Sequence, residues 1–288
     1  MIEAFLEENK YVDYSDPGIQ VVAKKLREIA EDEIELIRLT YYFVRDKISH
    51  SWDVRDPRVT VSASEVLREG VGICWSKANL LAALLRANGI QAGFSHQHLM
   101  TAEEPEKRFM IHALNTVYVS SLEKWIRLDA RGNNDEVHAE FSLDKEILSD
   151  MRSYAWKTDF HDNHARPEPE LMKLLEEYDN MLELMKLAMP RKLSYPGFEL
   201  LWNHIRTLNL DEYRFSFDEL AQILGFVITS TAPLTTNTIM RYGYQVDELS
   251  ADEQYVVIRR KSRLSLEQRY WRSKAACTPA RSSLITEH

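Results

Sequence analysis

One run constrains the fold more than any other: VGICWSKANLLAALLRANGIQAGF, residues 71–94. Leu80, Leu81, Leu84 and Leu85 lie at helical spacing and form an apolar stripe. Gly89 stands where a helix C-cap belongs. Gly72 and Ile73 lead into this helix, so Cys74 opens it and does not sit in its middle. Three strand-like runs follow: IQAGFSHQHLM, FMIHALNTVYV and KWIRLDA, the last two joined by the hairpin-sized loop SSLEK. A helix with a cysteine at its start, followed by an antiparallel sheet, is an α+β arrangement.

The chemistry-bearing residues fall on these elements in order. A lone cysteine is usually a small buried hydrophobe. At a helix start, however, free N–H groups and a partial positive charge favour a thiolate. The same N–H groups can hold an oxyanion. His112 lies in a strand among apolar neighbours, 38 residues after Cys74. That leaves room for the helix and one strand between them, and a rigid strand can place a base beside a helix tip. Asp129 closes the next strand, and a carboxylate there is costly to bury unless paired. The hairpin brings it alongside His112, where it would orient the imidazole.

The order and spacing resemble the transglutaminase-like superfamily. The matching residues are Gly72-Ile73-Cys74-Trp75, Ile111-His112-Ala113 and Arg127-Leu128-Asp129-Ala130. The segments ISHSWD, ASEVL, GIC, LLAALLR, IHALN and WIRLDARGN are similar to those of a group of bacterial transglutaminase-like cysteine peptidases, over about residues 1–190. The resemblance implies a papain-like fold with Cys74, His112 and Asp129 as catalytic triad. It further implies that Trp52, in ISHSWD, helps to hold the oxyanion, and that Trp75 walls the cleft. The implied reaction is acyl transfer through a thioester on a peptide or glutamine side-chain amide. Water as acceptor gives hydrolysis, and a lysine gives a cross-link. Cross-linking relatives carry calcium sites and extra β-sandwich domains that this sequence does not display, so hydrolysis is expected. A non-catalytic binding protein or regulator on the same fold is the alternative.

Upstream, IQVVAKKLREIA and EIELIRLTYYFVRDKI read as two amphipathic helices joined through Ala30-Glu31-Asp32. Ser62 or Ser64 caps a short helix closed by Gly70, and SHSWDVRDPR is a polar loop. Downstream, 150–170 reads as irregular, and ELMKLLEEYDNMLELMKLAM as one amphipathic helix ended by Pro190. Residues 1–190 are thus expected to form the catalytic domain. Residues 198–262 form a small winged-helix-like α+β unit: FELLWNHIRTLNL and FSFDELAQILGF as helices, then two strands around an acidic turn. Residues 263–288 make a flexible basic tail. From 251 onward there are eight Lys/Arg against four Asp/Glu, although the whole chain carries a net charge of -9. That acidic balance gives no global pull towards nucleic acid or anionic membrane. The expected recognition segment, TSTAPLTTNTIMRYG, holds Pro233 and few bases, so a protein partner fits the C-terminal unit better than DNA.

His96 and His98, and the pair His161 and His164, have the spacing of metal ligands, but a zinc site needs three or four. No metal or cofactor is expected. Two distant cysteines, Cys74 and Cys277, make no disulfide framework, and the acidic N-terminus lacks a signal-peptide pattern. No apolar run approaches a membrane span, so a cytoplasmic location is expected.

Overall fold

The computed structural model describes residues 2–101, 109–149, 154–160, 162–187, 199–225, 244–250 and 253–260. Two helices open the fold. In α1 (Pro17–Ile29), Asp16 accepts from the N–H groups of Gly18 and Ile19, and proline fills the first turn where no donor is needed. In α2 (Glu33–Lys47), Asp32 accepts from Glu35 N at 2.8 Å. The short strand β1 (Ser49–His50) follows directly. Helix α3 (Ala63–Glu69) has a complete capping box of Ser62 and Glu65, and closes at Gly70 in the left-handed region. The strand β2 (Val71–Gly72) then pairs in parallel with β1 and delivers the chain into α4 (Cys74–Ala87).

The sequence shows one apolar stripe on α4, but every residue from Cys74 to Arg86 is buried. The helix is central: α1, α2 and α3 pack against it, and so do the first two strands of the main sheet. Its polar residues are enclosed because each finds a backbone partner. Asn79 donates to Val61 O at 2.8 Å, and Arg86 donates to the carbonyls of Ala92, Glu7 and Ala165.

The main sheet comprises β3 (Ala92–Thr101), β4 (Phe109–Val119), β5 (Lys124–Leu128) and β6 (Tyr154–Asp159), ordered β5-β4-β3-β6 and antiparallel throughout. The register sets Gln97 opposite His112 and Asn115 opposite Leu128. Strand β6 lies in a stretch that reads as irregular; it is formed by pairing with the far edge of β3. The run expected as one helix over 170–189 is two, α5 (Pro169–Glu177) and α6 (Met181–Leu187). Asn180 breaks it: its side chain accepts from Leu182 N at 3.0 Å and Glu183 N at 3.3 Å, capping a new helix. Pro190 lies outside the described residues.

Farther on come α7 (Glu199–Leu208), β7 (Glu212–Ser216), α8 (Phe217–Leu224), β8 (Tyr244–Ser250) and β9 (Tyr255–Arg260). The strand order is β7-β9-β8. Strand β7 takes the first residues of the segment read as a helix, and Ser216 and Glu219 start α8 with a capping box. Leu201, Trp202, Ile205, Leu220, Leu224, Val256 and Ile258 form a core that shares no residue with those around α4. The expected recognition segment over 226–243 and the tail with Cys277 lie outside the described residues.

Candidate active site

The β1–β2 pair builds the first half of the site. His50 pairs with Gly72, and Ser51 N donates to Gly72 O at 3.1 Å, so the chain leading to Trp52 runs beside the chain leading to Cys74. Gly72 permits the closeness: a Cβ there would lie 2.7 Å from Ser76 Oγ and 3.1 Å from Thr60 Oγ1. Ile73 is the N-cap of α4 and supplies no side-chain cap. The first-turn N–H groups are therefore not occupied by a capping side chain. Cys74 is the first helical residue and is 5% exposed.

Strand β4 builds the second half. Trp75 lies in the first turn of α4, and its indole N–H donates to Ile111 O at 2.7 Å, fixing the helix tip to the strand one residue before His112. At 1% exposure, Trp75 is enclosed with Ile73, Ile111 and Ala113; it clamps rather than lines an open surface. His112 is 3% exposed. Its Nε2 lies 2.7 Å from Asp129 Oδ2, and Cys74 is near enough to act on the charge of the ring.

Asp129 follows β5 directly and is 1% exposed. Arg131 N donates to its Oδ1 at 3.1 Å and Ser149 N to its Oδ2 at 3.0 Å. Burial alone would raise this carboxyl, but the His112 imidazolium and the Ser149 donor outweigh it and hold Asp129 well below the usual carboxylate range. Burial would likewise lower His112; the charges of Asp129 and Cys74 reverse that and bring it up to about 10. Asp129 therefore acts only as acceptor, and His112 donates from Nε2.

Trp52 lies in the turn after β1, half-buried, with the Arg55 guanidinium 4.2 Å from its ring centroid. Two ties hold this turn. Arg131 forms a two-pronged ion pair with Asp53 at 2.8 and 2.9 Å, and Asn134 donates to Asp53 at 3.1 Å. The loop after Asp129 thereby grips the loop that holds Trp52.

The structure brings Cys74, His112 and Asp129 together, with Trp52 in the turn that follows β1. His96 and His98 are elsewhere on the sheet. His96 Nδ1 is 2.7 Å from Asp162 Oδ2, whose carboxylate also accepts from His96 N and Ser95 Oγ. His164 Nε2 is 3.4 Å from the same carboxylate, while His161 lies outside the described residues. Among the described residues no group of three or more His, Cys, Asp or Glu side chains could hold a metal ion. Three residues near the triad escape the sequence reading: His50, Lys77 and Arg131. Lys77 alone carries a visible signal, a lysine one turn after the cysteine in a helix that is mostly apolar.

Residues 20–130 match the family model described as the transglutaminase-like superfamily, a range that contains Cys74, His112 and Asp129. This region is similar to the transglutaminase-like superfamily. Solved structures similar to the chain include a protein from Cytophaga hutchinsonii assigned as a cysteine protease, at 22% identity and a TM-score of 0.37, covering 45% of this chain and 42% of that one. The periplasmic domain of TgpA from Pseudomonas aeruginosa, crystallised with ethylmercury, is similar at 18% identity and a TM-score of 0.35, covering 44% and 46%. The chain thus spans less than half the length of either. No curated protein matches it. Among the described residues no helix is long and apolar enough to cross a membrane, and the helices and sheets together make an α+β fold.

Proposed function

We propose that this protein is a cysteine-dependent acyl-transfer enzyme that hydrolyses peptide or glutamine side-chain amides through a thioester on Cys74. The observation that carries the reading is the buried pair of His112 Nε2 and Asp129 Oδ2 at 2.7 Å, with Cys74 at the tip of α4 near enough to act on the charge of the same imidazole.

Cys74 Sγ attacks the amide carbonyl carbon as thiolate, and the oxyanion forms beside the first N–H groups of α4. The Trp52 indole N–H is a second donor to that oxygen. The His112 imidazolium gives its proton to the departing amine, and the C–N bond breaks to leave the thioester. His112, now neutral, takes a proton from water, whose oxygen attacks the thioester and releases the acid and the thiolate. Asp129 stays ionised and holds the ring in the tautomer the cycle needs. A peptide or protein is the substrate class, and the C-terminal unit, residues 198–262, is a docking module for a protein partner.

Intact mass after incubation with an electrophilic peptide, a peptidyl chloromethyl ketone, tests the reading. One adduct is expected on the wild type and none on Cys74→Ala. Equal labelling of both, or of neither, contradicts it. A labelled primary amine added during turnover tests the acceptor: hydrolysis predicts free acid, and accumulation of amine conjugate would make the enzyme a transamidase.

A further inference from the structure

Lys77 is 1% exposed, one turn beyond Cys74 on α4 and so on the same side of the helix. Its Nζ donates to Ile48 O at 2.6 Å, Arg131 O at 2.7 Å and Arg45 O at 3.4 Å. Three N–H bonds thus meet three carbonyls, and among the described residues no carboxylate lies within ion-pair distance of it. Arg45 O belongs to the last turn of α2, where helix carbonyls lack internal partners and the dipole favours a cation, and Ile48 O follows from the extended residue that ends the helix. The third comes from the turn after Asp129. Gly132, at φ +114°, bends the chain there, and a Cβ on it would meet Arg45 O at 3.4 Å and Lys77 Nζ at 3.5 Å. The backbone closes around the ammonium.

These contacts reach the segments that carry the proposed chemistry. Ile48 leads straight into β1 and on to Trp52. Arg131 is the residue whose N–H donates to Asp129 and whose guanidinium holds Asp53. We propose that Lys77 is a positioning residue for the acyl-transfer reaction: through the carbonyls of Ile48 and Arg131 it fixes the segments bearing Trp52 and Asp129 to the helix bearing Cys74. This rests on the function proposed above.

An apolar side chain would fill the same space without a buried charge, so packing alone does not explain a lysine here. Burial lowers its pKa first and the Arg131 guanidinium lowers it further; the carboxylates of Asp129, Asp53 and Asp46 pull the other way, leaving it at about 7. His50, whose ring is held neutral by burial and by Arg131, Lys77 and His112, completes the titratable surroundings. Deprotonated, Lys77 keeps two donors for three carbonyls.

The test uses the full chain as wild type, Lys77→Met and Lys77→Arg. Folding is followed by circular dichroism, and Cys74 reactivity by its iodoacetamide rate from pH 5 to 9. Folded Lys77→Met is expected to label Cys74 about tenfold more slowly at pH 6, with the pH profile altered, because the segments lose their alignment. Lys77→Arg, which keeps the charge and donors, is expected to recover part of the rate. A folded Lys77→Met with wild-type rate and profile overturns the proposal. Should that variant not fold, side-chain NMR of lysine-labelled wild type locates the Lys77 titration. An inflection of the alkylation rate at that pH supports the proposal, and its absence overturns it. A wild type no more reactive than a free thiol sinks the acyl-transfer reading and this proposal with it; a reactive wild type with an equally reactive Lys77→Met sinks this proposal alone.

Discussion

His112 and Asp129 hold each other in charged form inside the protein, and that coupling has a definite dependence on pH. His112 is raised from 6.5 to about 10, so its contribution to stability is full below pH 6.5 and is lost as pH rises through 10. Asp129 is lowered from 3.8, so its contribution is full above that value and is lost as pH falls through the folded-state value. Lys77 runs the opposite way on the alkaline side. Its pKa is depressed to about 7, so the penalty on its charge is full below that pH and fades as pH rises to 10.5. The two trends offset each other in the wild type, and a variant separates them. With Asp129→Asn the stability difference from wild type is expected to be largest near pH 6 and to shrink towards pH 10, read by chemical denaturation across pH. A difference independent of pH would contradict the charged pair. The same variant is expected to lose at least about 100-fold in amide hydrolysis, because the imidazole loses its orienting acceptor. The residues themselves explain what the sequence discloses here. Cys74, His112 and Asp129 stand at element ends or on one hairpin, where spacing carries geometry. Lys77 and His50 depend on backbone contacts from distant segments, and no local pattern announces those.

At the scale of elements, the site depends on a two-residue parallel pair. Strands β1 and β2 are too short to show a strand pattern, and the segment after Ile48 reads as loop; only their pairing makes the structure. Gly72 is the hinge of this arrangement. Gly72→Ala drives a Cβ to within 2.7 Å of Ser76 Oγ in a buried setting, and is expected to cost about 1–3 kcal/mol by denaturant unfolding and to lower Cys74 reactivity together with it. Unchanged stability would show that the helix tip tolerates a shift the contacts forbid. Strand β6 and the break between α5 and α6 have the same lesson in two forms. Strand β6 exists because β3 offers an open edge, and Asn180 interrupts an amphipathic pattern because its side chain caps better than it continues. The apolar stripe of α4 was legible, but its full enclosure was not, since Asn79 and Arg86 are buried through carbonyls that the sequence does not reveal.

Among the described residues the buried apolar side chains divide into a first group, made of two sets around α4 and the main sheet, and a second set around Trp202 that shares no residue with them. The proposed division into catalytic and C-terminal units makes these energetically separate. Trp202, 2% exposed, is the largest side chain of the second set. Trp202→Ala is expected to cost that unit about 3–5 kcal/mol and to leave Cys74 alkylation unchanged, measured by calorimetry alongside labelling. Loss of both would mean that the units unfold as one. In the C-terminal unit the helices and the last two strands were readable from pattern, whereas β7 was hidden in a run that looks helical because Phe215 and Phe217 straddle the switch from strand to helix.

The alkylation rate of Cys74 by iodoacetamide at pH 6, compared with a free thiol under the same conditions, bears most directly on whether the imidazole and carboxylate serve the sulfur. A rate at least about tenfold above the free thiol, lost in His112→Ala, is the expected result. A wild-type rate at or below that of the free thiol, with His112→Ala no different, would contradict the account.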